Sequence, residues 1–179
     1  SAELETGLDV LCFSGDKVLG GPQAGILLGS KTVIDRLARH PMARALRVDK
    51  LTLASLQATL LAYRQGEPER VPVTAMLHMS QDGLMARARR LAEACGPKVE
   101  AVTSEDPVGG GSHPDETLPG AAIAVSLDSD GALTAMASHL RQGEVPIVGV
   151  IRDHRLHFHL RTVSEDEERV LETRLKALL

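Results

Sequence analysis

Two short apolar runs, residues 8–13 and 24–28, flank a bend that is rich in glycine. The bend, residues 14–23, holds three glycines and one proline. Apolar runs of four to eight residues bounded by such turn signals are typical of buried strands. The pattern therefore predicts two buried strands joined by a tightly folded loop, and Lys17 lies inside that loop.

A helix is predicted over residues 50–65, and the Gly66-Glu67-Pro68 sequence closes it. Its apolar face has leucines spaced three and four residues apart, namely Leu53, Leu56 and Leu60. The break after this helix is the strongest boundary signal in the chain. We expect one unit over residues 1–66 and a small α+β domain over residues 67–179, with helices packed on one face of a sheet.

Periodicity in the second half predicts alternating helices and strands. Helices are expected over residues 84–95, 133–140 and 165–178, strands over 99–103, 123–127 and 147–151, and a loop over 109–119. Along residues 156–161 apolar side chains alternate with His157, His159 and Arg161, as in a strand with one buried face. Asp153-His154 predicts a hairpin tip, and Ser164 with Glu167 predicts a capping box.

Composition narrows the function classes. The formal net charge is −4, and only 2% of residues are aromatic, so gripping nucleic acid by base stacking or phosphate neutralisation is not the main task of the chain. No apolar stretch reaches the roughly 20 residues that span a bilayer. Cys12 and Cys95 form no C-x-x-C motif and are predicted to be buried thiols in a reducing cytoplasm.

Lys17 is the candidate reactive group. An amine placed just after a strand, among glycines, can condense with a carbonyl compound to form a Schiff base. The Ser14 hydroxyl and the backbone N–H groups of the bend are candidates to bind a phosphate. On residue types alone, an ordinary surface lysine in a turn is the favoured interpretation, because such turns are common.

A second chemical interpretation of the same residues fails. Ser14 and Lys17 also fit the S-x-x-K motif of serine β-lactamases and penicillin-binding proteins. Those enzymes need S-D-N and K-T-G companions, and neither occurs in this sequence.

Longer segments carry a resemblance. FSGDKVLGGPQAGILLGS at residues 13–30 and HPMARALRVDKLTLASLQATLLAY at residues 40–63 resemble the bacterial selenocysteine synthases, the L-seryl-tRNA(Sec) selenium transferases. VGGGS at residues 108–112 and EVPIVGVIRDHRLHFHLRTV at residues 144–163 are similar to the same family. The likeness extends over most of the chain and is aligned with the C-terminal portion of the family.

The resemblance implies a fold-type-I enzyme that depends on pyridoxal 5'-phosphate (PLP), ending here in part of the large domain followed by a small C-terminal domain. Lys17 matches the cofactor-binding lysine and Asp16 its acidic neighbour, whereas Arg44 and Arg47 match arginines that hold the anionic selenium donor or a phosphate near the PLP. The implied reaction converts seryl-tRNA(Sec) into selenocysteinyl-tRNA(Sec) through an aminoacrylate, with selenophosphate as donor. A cytoplasmic homo-oligomer with active sites at subunit interfaces is also implied.

Spacing alone also bears on the two arginines. If Arg44 and Arg47 lie three apart on one helix, their guanidinium groups share a face and can clamp an anion. The alternative is a solvated basic face balanced by Asp49.

The chain has no initiating Met, and the remaining strands of a large domain and the tRNA-binding domain would have to precede it. We therefore expect a piece of a longer protein that does not bind PLP fully by itself. Two rival functions stay open, namely a PLP-dependent lyase or aldolase acting on another amino compound and a noncatalytic oligomerisation module. For His157 and His159 a metal site is disfavoured, and residues 109–112 are either an anion-binding or a flexible segment.

Overall fold

The computed structural model describes residues 7–109 and 113–179, without the side chains of residues 113 and 114. The chain divides into two compact units, residues 1–75 and residues 76–179, and each is described by itself. The boundary expected after residue 66 from the sequence stays a prediction.

The first unit combines a two-stranded antiparallel ribbon with four helices in its described part. In the ribbon, Val10 pairs with Gly29 and Ser14 with Gly25. The elements are β1 (Val10–Ser14), β2 (Gly25–Gly29), α1 (Lys31–Arg39), α2 (Pro41–Ala45), α3 (Lys50–Arg64), a short 3₁₀ turn (Pro68–Arg70) and α4 (Pro72–Leu77).

The ribbon strands form where the apolar runs predict them, but the expected burial is wrong. Phe13 is 36% exposed, Leu27 is 47% exposed, and Cys12 is also exposed. A two-stranded ribbon leaves both of its outer edges unpaired, and no other strand of the described chain joins this sheet. Apolar strand residues therefore remain accessible to solvent in this unit.

Side-chain caps fix where the helices of this unit begin. The Oδ1 atom of Asp49 accepts hydrogen bonds from the backbone N–H groups of Leu51 (2.6 Å) and Thr52 (3.0 Å) at the start of α3. Hydrogen bonds from Thr52 and Leu51 lower the pKa of the Asp49 carboxyl. At the other end, Gly66 adopts a φ of +76°, which stops the helix as the Gly66-Glu67-Pro68 sequence predicts.

The second unit is a four-stranded antiparallel sheet with three long helices. The strand order is β3-β4-β6-β5. The elements are α5 (Gln81–Cys95), β3 (Val99–Gly109), β4 (His113–Val125), α6 (Asp130–Arg141), β5 (Val150–Arg152), β6 (Arg155–His159), a 3₁₀ turn (Leu160–Thr162) and α7 (Glu165–Lys176).

All three helices contribute to one core on one face of this sheet, as the sequence predicts. Ile123 pairs with Phe158 and Val125 with Leu156, so their side chains point to the same face, and all four are buried. The helix residues packed with them are Leu84, Ala88, Leu91 and Ala92 of α5, Leu133, Met136, Ala137 and Leu140 of α6, and Leu171 and Leu175 of α7.

Two expectations for this unit are wrong. The loop expected over residues 109–119 is mostly strand, because β3 and β4 continue as a long hairpin in which Glu105 pairs with Pro119 and Pro107 with Thr117. Prolines are tolerated there because this part of β4 pairs only with β3. The strand expected over residues 147–151 shortens to β5, which starts at Val150.

The local signals after β5 are confirmed. Asp153 and His154 have positive φ values of 49° and 57°, as a two-residue hairpin with a type I′ turn requires. Ser164 and Glu167 form the predicted capping box at the start of α7. None of the described helices has the length and apolar character needed to cross a membrane.

A buried ion cluster ties the long hairpin to the segment before α5. Arg161 donates from Nε to Asp106 Oδ2 (2.9 Å) and from its terminal nitrogens to the backbone oxygens of Met76, Met79 and Pro119. The side chains of Arg161 and Asp106 are 7% and 6% exposed. The charge pair between Arg161 and Asp106 is therefore shielded from water.

The same carboxylate is held in its charged form. Burial alone would raise the pKa of Asp106, but hydrogen bonds from His159 (2.7 Å), Ser104 (2.7 Å) and Arg161 outweigh burial and lower it below its ordinary value of 3.8. Asp106 thus stabilises the folded state wherever it is ionised.

Replacing Asp106 by Asn tests this cluster. The substitution leaves the Arg161 charge buried without a counterion, so we expect a loss of about 3 kcal/mol in the free energy of unfolding at pH 7. Because the folded-state pKa is depressed, the difference between wild type and variant should hold above pH 3.8 and shrink as the pH falls through the lower folded-state value. Chemical denaturation at several pH values measures it.

Asp166→Asn provides the matched control. Asp166 is 92% exposed and 3.6 Å from Arg169, so its loss should cost below about 1 kcal/mol. Equal effects of the two substitutions would contradict a stabilising role for the buried cluster.

Candidate functional site

The loop between β1 and β2 folds back on itself through three backbone hydrogen bonds. Gly15 donates its N–H to the carbonyl of Ala24 and Gly21 donates to the carbonyl of Gly15, both at 2.8 Å. Gly20 donates to the carbonyl of Lys17, also at 2.8 Å, which closes a turn from Lys17 to Gly20. We call residues 15–24 the lysine loop.

Glycine is required at two points of the lysine loop. A Cβ atom on Gly15 would lie 2.7 Å from the carbonyl oxygen of Pro22, closer than two such atoms can approach. Gly20 has a φ of +70°, and a Cβ there would meet the γ-methyl groups of Val71 and Val73. The glycines that suggested a tight bend in the sequence are thus explained by close packing.

Helix α3 supports the lysine loop with residues about one turn apart. A Cβ on Gly21 would lie 3.3 Å from Leu56 and 3.5 Å from the hydroxyl of Thr59. One turn later, the Tyr63 hydroxyl donates to the backbone carbonyl of Leu19 at 3.0 Å. The predicted helix is therefore confirmed, but Leu53 and Leu60 of its expected apolar face are 49% and 47% exposed.

Three of the predicted site residues line one depression of about 380 Å³. These three are Ser14, Asp16 and Lys17. The rest of the lining consists of Gln23, Ala24, Gly25 and Val48. The side chains of the three candidates are exposed, so an amine, a hydroxyl and a carboxylate face the same solvent-accessible space. This volume falls within the range of small-ligand sites.

Arg44 and Arg47 do not share a helical face, which corrects the expected clamp. Helix α2 ends at Ala45, so Arg44 lies in its last turn and Arg47 in the irregular segment before α3. Both residues are exposed, and neither lines the depression around Lys17. Asp49, the residue expected to balance them, is occupied by capping α3.

The histidine pair of β6 belongs to the second unit. His159 contacts Asp106 through Nδ1, and the buried Nε2 atom of His157 has no hydrogen-bond partner among the described residues. Burial lowers the pKa of His157. Within residues 7–109 and 113–179 no metal-binding group of three side chains forms. Of the candidate segment 109–112, only Gly109 is described, at the end of β3, and the rest lies outside the described residues.

Sequence reasoning missed the residues that hold the lysine loop in place. These are Tyr63 and Thr74, whose hydroxyl oxygens lie 2.7 Å apart, and the valines that pack on Gly20. One signal was present, because Tyr63 is the only tyrosine in a chain that is 2% aromatic. Its position at the end of α3, far from Lys17 in sequence, concealed the contact.

Gly20→Ala tests whether the lysine loop depends on this packing. A side chain at a positive φ is strained by about 1–2 kcal/mol, and the overlap with Val71 and Val73 adds to that cost. We expect faster amide hydrogen exchange across residues 15–24 and a lower midpoint of unfolding. Gly25→Ala is the control, since a Cβ there meets nothing within 4 Å and φ is not positive. Similar exchange in both variants would refute the packing account.

Comparisons with known proteins identify the family. The L-seryl-tRNA selenium transferase family matches residues 1–164. Three similar proteins carry the name L-seryl-tRNA(Sec) selenium transferase and come from Shewanella oneidensis, Aquifex aeolicus and Escherichia coli. They are 37%, 38% and 42% identical to this chain, over 96%, 98% and 97% of its length, respectively. The chain spans 38%, 40% and 39% of their lengths, or about two fifths.

A solved structure has a fold similar to that of this chain. A D-glucosaminate-6-phosphate ammonia-lyase matches with a TM-score of 0.64 and 21% identity, over 98% of this chain and 44% of that one. At this identity the likeness concerns the fold alone. The predicted resemblance is confirmed by the sequence comparisons, and the chain belongs to the L-seryl-tRNA selenium transferase family.

Proposed function

We propose that the chain contributes the cofactor lysine to a PLP-dependent enzyme that converts seryl-tRNA(Sec) into selenocysteinyl-tRNA(Sec) with selenophosphate. The observation that carries the proposal is the grouping of Lys17, Asp16 and Ser14 around one depression in a glycine-built loop. Family membership supplies the substrate class. The proposal concerns the activity of a whole protein, whereas the chain spans about two fifths of the length of its relatives.

The residues of the depression fit two ends of the cofactor. Lys17 offers the primary amine that an aldehyde requires, and Ser14 offers a hydroxyl to a phosphate. Gly25 leaves the adjacent wall open, because a Cβ placed there meets no atom within 4 Å. Among the lining residues, none has an aromatic ring to stack on a pyridine. That contact would come from another part of the protein.

Proton movement is assigned to the side chains of the lysine loop. PLP, when bound, withdraws electrons from the α-carbon of the seryl group, which permits loss of the α-proton and of the β-hydroxyl before selenium adds. The Nζ atom of Lys17 is the base that accepts the α-proton. Asp16, its exposed neighbour, orients that amine or the departing hydroxyl.

Arg44 and Arg47 are proposed to bind the selenium donor as separate cations. Both guanidinium groups are exposed. The nearest acidic residue in sequence, Asp49, uses its Oδ1 and Oδ2 atoms to accept hydrogen bonds from Leu51 and Thr52. The positive charges of Arg44 and Arg47 are therefore accessible to an anion such as selenophosphate. Each arginine can bind the anion without the other.

A homo-oligomer in the cytoplasm completes the proposal. Many large apolar side chains of the first unit are exposed, and apolar surface of this kind can mark an interaction site. They include Leu8, Val10, Leu27, Leu28, Met42, Leu46, Leu51, Leu53, Leu60 and Leu61. Such residues suit contacts with the remainder of a large PLP-binding domain and with a second subunit. Active sites shared between subunits follow from that arrangement.

Lys17→Ala in the full-length protein tests the cofactor assignment. Without the amine no covalent link to PLP forms at this position, so we expect loss of the absorbance band of the imine between Lys17 and the cofactor and a fall of at least about 10³-fold in selenocysteinyl-tRNA formation. Lys31→Ala is the control, since Lys31 is exposed and pairs with Asp35 on α1. Retained absorbance in Lys17→Ala would overturn the assignment.

Arg44→Gln and Arg47→Gln test donor binding. Each charged hydrogen bond to an anion is worth about 1.5–3 kcal/mol, so each variant should raise the KM for selenophosphate about tenfold or more while leaving PLP absorbance intact. The double variant measures the coupling between the two charges, which are proposed to share one anion as partner. Arg36→Gln on α1 is the control, and a KM unchanged in both single variants would contradict the assignment.

A further inference from the structure

We infer that Tyr63 is a positioning residue for Lys17, and that it acts through the backbone of the lysine loop. The inference rests on the function proposed for Lys17. It concerns a side chain 46 residues away in sequence whose hydroxyl lies against the turn that begins at the reactive lysine.

The hydrogen bonds form a directed chain. A carbonyl oxygen only accepts, so the Tyr63 O–H donates to the carbonyl of Leu19 at 3.0 Å. The Tyr63 oxygen is then free to accept, and the Thr74 hydroxyl, 2.7 Å away, is the donor. Thr74 is 7% exposed, so its hydroxyl is fixed in a site that excludes most water.

This series of hydrogen bonds ends at the Leu19 carbonyl, in the backbone turn that carries Lys17. Leu19 is the third residue of the turn in which Gly20 donates to the carbonyl of Lys17 at 2.8 Å. Rotation of the Leu19 peptide would turn its carbonyl away from Tyr63 and would move the N–H of Gly20. The Tyr63 hydroxyl therefore selects one orientation of the Lys17–Gly20 turn.

Packing holds the other side of the same turn. Gly20 rests on Val71 and Val73, and these valines precede Thr74 in the same segment. The end of α3 thus contacts the turn through a hydrogen bond from Tyr63 to Leu19. The start of α4 contacts it through apolar packing of Val71 and Val73 on Gly20. Loss of the tyrosine hydroxyl alone leaves the apolar side intact, which makes Tyr63→Phe a narrow test.

The test compares Tyr63→Phe with Thr173→Val in the full-length protein containing PLP. The Thr173 hydroxyl donates to the carbonyl of Arg169 within α7, so its removal deletes a hydroxyl whose hydrogen-bond partner lies outside the lysine loop. Four quantities are measured for each protein: amide exchange of residues 15–24, the rate at which borohydride traps Lys17, the pH midpoint of the cofactor absorbance, and kcat with KM.

In Tyr63→Phe we expect amide exchange at Leu19 and Gly20 to rise about threefold to tenfold, the range for one net hydrogen bond. Trapping of Lys17 should slow, the pH midpoint should shift, and kcat should fall several-fold with KM for seryl-tRNA(Sec) nearly unchanged. Thr173→Val should match the wild type in all four.

Unchanged trapping, pH midpoint and kcat in Tyr63→Phe would overturn the inference, even if its melting temperature fell. Should that variant fail to fold, Thr74→Val serves in its place, with Thr74→Ser expected to restore wild-type values because it keeps the hydroxyl. Failure of the proposed function is distinguishable, since Lys17 would then escape trapping in the wild type as well.

Discussion

The close return of the lysine loop onto its own backbone is the constraint on which the candidate site depends. Gly15 and Ala24 join the loop where the ribbon strands end, and no side chain larger than hydrogen fits against Pro22 at residue 15. Lys17 is thereby held at the start of a hydrogen-bonded turn. The end of α3 and residues 71–74 form the support beneath it. The candidate amine is thus exposed to solvent on a backbone whose course is fixed by hydrogen bonds and close packing.

The second unit is stabilised by an apolar core and by buried ion pairs. Its core is apolar and continuous between one sheet face and three helices. Its buried charged residues lie in two clusters: Asp106 with Arg161, and Glu168 with Arg87 (2.6 Å) and with the largely exposed Arg90 (2.8 Å). Such clusters lock the long hairpin and the last helix into one arrangement, because each charge would be costly without its partner.

Sequence reasoning succeeded where the determinants are local. Turn chemistry at Asp153-His154, the capping box at Ser164 and the helix stop at Gly66 depend on neighbouring residues, and all three form as predicted. It failed where pairing is non-local. Prolines near residue 114 suggested a loop, although a two-stranded hairpin accommodates them, and the burial expected for Phe13 requires layers that the described residues do not supply. At the site, residue type indicated Lys17, whereas Tyr63 could be found only once the fold brought it to Leu19.

The central claim is that the amine of Lys17 is the one that carries the cofactor. Borohydride reduction of the full-length protein loaded with PLP, followed by protease digestion and mass spectrometry, identifies the modified lysine directly. The account predicts a phosphopyridoxyl group on the peptide that contains Lys17, at near-stoichiometric yield and on no other lysine of this chain. A group attached to a different lysine, or an unmodified Lys17 in a protein that retains bound cofactor, would contradict it.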